Sequence, residues 1–188
     1  MRPRFGESVA LRTPRQKEGL RLGWLRVAGT GRTPDGATVT WSVAEGRRGR
    51  RWREAVTRDG AVLHSLLFEL DPDGRFAHLE LTTPAGLLTL HPEGDGTIHG
   101  NAISATGIAH VRGLSWEPDD AILIERSVVC QVVAGQWQFA RGLDGLGVIR
   151  VAPDLSLTRE RTTIELAPVD DRGLPALDDS HPWPLEEY

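Results

Sequence analysis

The chain has one cysteine, Cys130, which excludes an internal disulfide and a thiolate zinc cluster. Its setting, SVVCQVV, marks it as a small buried apolar residue rather than a nucleophile. Lysine is almost missing too: every cation except Lys17 is arginine. One tyrosine and four phenylalanines leave few stacking surfaces for nucleic-acid bases. No apolar run approaches the roughly 18 residues that span a bilayer. The N-terminus, MRPRFGESVALRTPRQKEG, lacks the apolar stretch of about 7 to 15 residues that a secretory signal carries, so the expected compartment is the cytoplasm. A sustained helical period is absent, as are HExxH, HxH and GxSxG. GTGRTPDG and GLDGLG lack the strand-then-helix setting of a phosphate loop and read as turns.

What the chain does have is alternation cut by turn signals. At 188 residues it is long enough for one buried core, and a single domain is expected. Residues 1–19 read as a flexible basic arm, 20–168 as one β domain and 169–188 as an acidic, proline-rich tail anchored by Trp183. ATVTWSVAE puts Val39, Trp41 and Val43 on one face of a strand, and GRRGRRWREAVTRDG reads as a wide loop running into a strand from about Arg51 to Arg58. From Val62 to Arg112 short apolar segments are separated by DPDG, TTPAG, PEGDG and SATG, a series of hairpins. AILIE and SVVCQVV supply one or two further strands, AGQWQFARGLDGLGVIRVAPD another pair, and LSLTRERTTIELAP a late one. The expected class is mainly β with little helix: an antiparallel up-and-down meander curled into a half-barrel or barrel.

Turn positions set register, and register sets which side chains share a face. Closing the first hairpin at DPDG pairs Phe68 with Ala77 and Leu66 with Leu79. TTPAG pairs Leu79 with Leu90 and Leu81 with Leu88, PEGDG pairs Thr89 with His99, and SATG pairs Asn101 with His110 and His99 with Arg112. One face then carries Leu66, Phe68, Ala77, Leu79, Leu81, Leu88, Leu90, Ile98, Ala102, Ala109 and Val111. The other carries Ser65, His78, Glu80, Thr89, His91, His99, Asn101, His110 and Arg112.

Each face suggests a different chemistry. Three imidazoles and a carboxylate, His78, His91, His99 and Glu80, are the types that bind zinc or iron or exchange protons, although histidine is also ordinary on a solvated sheet face. The arginines from Arg47 to Arg53 around Trp52 would suit a nucleic-acid backbone. Residues 1–60 hold 14 Lys and Arg against 6 Asp and Glu, while the remainder holds 8 against 20. That polarity equally suits attraction between two halves of one fold, and nucleic acid is not the favoured partner.

TVTWSVAEGRRGRRWREAVTRDG, followed by the hairpins through DGTIHGN, resembles the bacterial glycolipid-binding family over residues 38–130. The resemblance implies a half-barrel similar to that of lipoprotein carriers, a non-enzymatic binder with an apolar groove, and no catalytic residues. The expected function is binding of an amphipathic small molecule, glycolipid or lipid-like, on the apolar sheet face. Trp41, Trp52, Leu66, Phe68, Leu79, Leu81, Leu88 and Leu90 are the candidate ligand-binding residues, with no cofactor and no resident metal. The alternatives are an enzyme working through the histidine face and an interaction module working through the basic half.

Overall fold

A computed structural model describes residues 25–32, 36–116, 121–124, 131–132, 143–164 and 183–184. The arm at 1–19, Trp24, Cys130, Trp137 and the expected strand around 134–140 lie outside the described residues. Strands are β1 (Leu25–Arg32), β2 (Thr38–Gly46), β3 (Gly49–Arg58), β4 (Ala61–Leu70), β5 (Phe76–Thr83), β6 (Gly86–Pro92), β7 (Thr97–Ser104) and β8 (Gly107–Ser115). After them come β9 (Ala121–Ile124), β10 (Gln131–Val132), β11 (Leu143–Val151), β12 (Leu157–Ile164) and β13 (Trp183–Pro184). No helix occurs among the described residues.

β1 to β8 form an antiparallel meander in chain order, extended at the β1 edge by β13. Trp183 and Pro184 therefore end the sheet, at an edge where a proline removes no needed donor. The sheet is not closed into a barrel; its two ends are β13 and β8. A second sheet has the order β10-β9-β11-β12, and β9 runs parallel to β11. The sequence rhythm of hairpins did not signal that parallel pair. It places Ile122 beside Ile149 and Ile124 beside Val151, and these four residues join the apolar face of the meander in one hydrophobic cluster. Thr83 adds a polar link between the sheets, its hydroxyl donating to the Pro153 carbonyl at 2.8 Å.

The two faces of the meander separate as the sequence predicts, although the register differs in two hairpins. Phe68 pairs with Leu79 and Leu66 with Leu81, and Thr89 pairs with Asn101 instead of His99. Both are slips of two residues, which leave the paired leucines, Phe68, Thr89 and Asn101 on their faces. The causes differ: at PEGDG the five-residue turn sits one residue later, at 93–97, and at DPDG one added turn residue combines with a one-residue bulge. Asp71 and Arg75 close a five-residue turn, with Asp71 N–H donating to the Arg75 carbonyl and Gly74 N–H to the Asp71 carbonyl, and a bulge follows at Glu69/Leu70. That bulge turns Phe76 inward and leaves Ala77 half-buried outside the core. The TTPAG register and the Asn101–His110 pair stand as expected, whereas a bulge at Ile98/Gly100 displaces Arg112 from His99. At the other end of β8, Ala109 is exposed rather than buried.

The same five-residue turn recurs twice more, at 93–97 and 152–156, with the same two backbone hydrogen bonds. Its fourth position is left-handed, occupied by Gly74 (φ 79°), Gly96 (φ 80°) and Leu155 (φ 69°). A bulky residue in that conformation costs about 1–2 kcal/mol. Leu155 offsets the strain by burying its side chain in the cluster between the sheets. Within two of these turns, Asp95 and Asp154 accept from the hydroxyl and backbone N–H of Thr97 and Ser156. The hydroxyl bond first, then the backbone bond, holds each carboxyl below its ordinary pKa.

Leu155→Gly relieves the backbone but removes a buried leucine worth about 2–5 kcal/mol, so urea denaturation should show a net loss of stability; a stabilised variant would contradict the packing role. The lowered carboxyl pKa values give stability that is present above pH 3.8 and lost as the pH falls through the folded-state value. The double variant Asp95→Ala/Asp154→Ala should accordingly have a lower urea midpoint than the parent at neutral pH, by a margin that shrinks below pH 3.8. A margin independent of pH would rule out the carboxylates as its source.

Candidate functional site

On β3 the alternation W-x-E-x-V points Trp52, Glu54 and Val56 to the interior, opposite Val43, Trp41 and Val39 of β2 and Phe68, Leu66 and His64 of β4. Trp41 and Trp52 stack with ring centroids 5.3 Å apart and planes 11° from parallel. Beyond the Trp52–Phe68 pair, Phe68 packs against Phe76 at 5.4 Å and Phe76 against Trp116 at 5.6 Å. The eight candidate ligand-binding residues are thus brought together, but as core: Phe68, Leu79, Leu88 and Leu90 are 0 % exposed, and Trp41 and Leu66, the most accessible of the eight, reach 2 %. As folded, none of them presents surface to a solute.

Within this apolar interior lies a polar pair that the sequence reading passed over. His64 Nε2 sits 2.7 Å from Glu54 Oε1, and Trp52 Nε1–H donates to Glu54 Oε2 at 3.3 Å. The Glu54 and His64 side chains are 0 % and 4 % exposed. The signal was available, since parity alone puts Glu54 between Trp52 and Val56 on the inward face. A carboxylate against an imidazole is an acid–base pair in composition, yet these two groups lie under the core without an opening to solvent. Their geometry pins β3 to β4 at the point where the ladder slips by one residue, between Val56 and Thr57. Close by, Gly29 faces Trp41; a Cβ there would fall 2.5 Å from the indole ring, so glycine lets β1 lie against it. Among the described residues Trp41 Nε1 is buried without a hydrogen-bond partner, which costs about 1–3 kcal/mol.

The histidine face looks outward. His91 and His99 are cross-strand neighbours that share Glu93, at 3.3 Å and 3.7 Å from its Oε1. His110 Nδ1 lies 2.7 Å from Asn101 Oδ1, and Glu80 is exposed. Among the described residues no group of three or more His, Cys, Asp or Glu side chains is placed to hold a metal ion, so His78, His91, His99 and Glu80 do not converge as a ligand set.

A concave site lies elsewhere, at the β2–β3 hairpin. GRRG is a tight turn, Arg47–Arg48 between the paired Gly46 and Gly49, in place of the wide loop expected from its charges. Gly49 (φ 102°) permits it: a Cβ there would fall 2.0 Å from the Leu70 carbonyl oxygen. The close approach of the hairpin to the β4–β5 turn leaves a cleft of about 610 Å³. Arg26, Arg47 and Arg48 line it together with Ala44, Leu70, Pro72 and Ala77. Two further arginines of the lining are neutralised, Arg50 by Glu45 and Arg51 by Glu69. None of the described carboxylates pairs with Arg26, Arg47 or Arg48.

Comparison of the chain with family models, curated proteins and solved structures gives no match.

Because the Glu54–His64 pair is buried, Glu54→Leu should take from His64 its 2.7 Å partner, and His64→Leu should leave Glu54 with Trp52 Nε1–H but without the imidazole, each at a cost of about 3–5 kcal/mol. The double variant Glu54→Leu/His64→Leu should be clearly less destabilised than the sum of the two, as read from denaturant midpoints. Additive losses would show that the two side chains do not act as a unit.

Proposed function

We propose that this protein is a non-enzymatic binder of an amphipathic small molecule, taken up at the β2–β3 cleft. The observation that carries the reading is the mixed lining of that cleft, three guanidiniums that no described carboxylate engages beside the apolar residues Ala44, Pro72 and Ala77. Its volume falls in the range of about 300–1,000 Å³ typical of small-molecule sites. The polar and apolar halves of the lining meet within one concavity, which suits a ligand with a charged or hydroxylated head and a short length of hydrocarbon. The resemblance to the glycolipid-binding family over residues 38–130 points the same way. The leucines of the meander face contribute indirectly: by forming a closed core with the second sheet they hold the hairpin and the β4–β5 turn at a fixed separation.

Native mass spectrometry of the full chain with single-chain amphiphiles should detect a one-to-one complex. Ala77→Glu, which places a carboxylate on the apolar part of the lining, should reduce the bound fraction by about tenfold, the effect of some 1.4 kcal/mol. Failure of every amphiphile to form a complex would overturn the reading.

A further inference from the structure

We infer that the β2–β3 cleft selects an anionic head, and specifically a phosphate-bearing amphiphile; this rests on the amphiphile reading above and narrows its ligand class. Arg26 comes from β1, while Arg47 and Arg48 form the hairpin turn, so the three cations reach the cleft from two elements. All three are exposed, and none is engaged by a described carboxylate. Five arginines and three carboxylates line the cleft in total. Of the carboxylates, Glu45 and Glu69 are taken up by Arg50 and Arg51, and Asp71 Oδ1 accepts from the backbone N–H groups of Asp73 and Arg75 within its own turn. Among the described residues the lining therefore keeps an excess of two positive charges, five arginines against three carboxylates, and Arg26, Arg47 and Arg48 are the cations that no described carboxylate engages. A guanidinium offers a planar fork of donors that matches phosphate oxygens, and three forks around one oxyanion give the charge-assisted bonds that distinguish it from a neutral sugar head.

Free phosphate and a phosphorylated lipid head share this chemistry, and the apolar lining decides between them. Isothermal titration of the full chain with dodecyl phosphate, dodecyl maltoside and inorganic phosphate, each below any micelle concentration, separates the possibilities. Expected is binding of dodecyl phosphate about tenfold or more tighter than either of the others, weakening as salt is raised. Arg47→Ser/Arg48→Ser, at an exposed turn, should lose about tenfold or more of that affinity at an unchanged urea midpoint. Equal affinity for dodecyl phosphate and dodecyl maltoside would overturn the anion selection and leave the amphiphile reading standing. Inorganic phosphate binding as tightly as dodecyl phosphate would overturn the amphiphile reading and assign the cleft to free anion. Binding of none of the three would overturn both.

Discussion

A meander that alternates apolar and polar residues over eight strands must cover its apolar face, because leaving several leucines in water costs about 1.5–3 kcal/mol for each. In this molecule the cover is the second sheet. Its parallel pair β9–β11 lays Ile122, Ile124, Ile149 and Val151 in the same cluster as Leu66, Phe68, Leu79, Leu81, Leu88 and Leu90. Once that seam is closed, the interior is packed, and among the described residues a concave site lies where a hairpin and a turn meet at one end of the sheet. The closed core and the position of the cleft are two consequences of one constraint.

Glu54 and His64 are the exception inside that core. A buried polar pair adds little net stability over an apolar filling, but it penalises arrangements in which the two groups do not meet. β3 and β4 change register between Val56 and Thr57, beside His64, and the hydrogen bond to Glu54 fixes the pairing just before the slip. The stacked indoles of Trp41 and Trp52 flank the carboxylate, so the polar contact is surrounded by large, rigid side chains. This is a structural use of an acid–base pair, consistent with its enclosure.

The facing of side chains was legible in the sequence because strand parity is local. The two-residue slips at DPDG and PEGDG did no damage, since an even shift keeps each face intact. Ala77 was misplaced for the opposite reason: the bulge at Glu69/Leu70 adds a single residue, and one residue inverts the pattern. Glu54 was equally legible by parity, between Trp52 and Val56 on the inward face. The parallel β9–β11 pair was not legible, because it joins segments more than twenty residues apart through no local signal. The cleft was hidden because GRRG reads as a charged loop, and only the close approach of Gly49 to the Leu70 carbonyl makes a tight, rigid wall of it.

The most direct measurement is a crystal structure of the full chain grown with dodecyl phosphate. Expected is phosphate density against Arg26, Arg47 and Arg48, with the alkyl chain near Pro72 and Ala77 and the two sheets still closed around Leu79, Leu88 and Leu90. Alkyl density between the sheets, with those leucines parted from Ile122 and Ile149, would contradict the closed core and return the binding site to the apolar face of the meander.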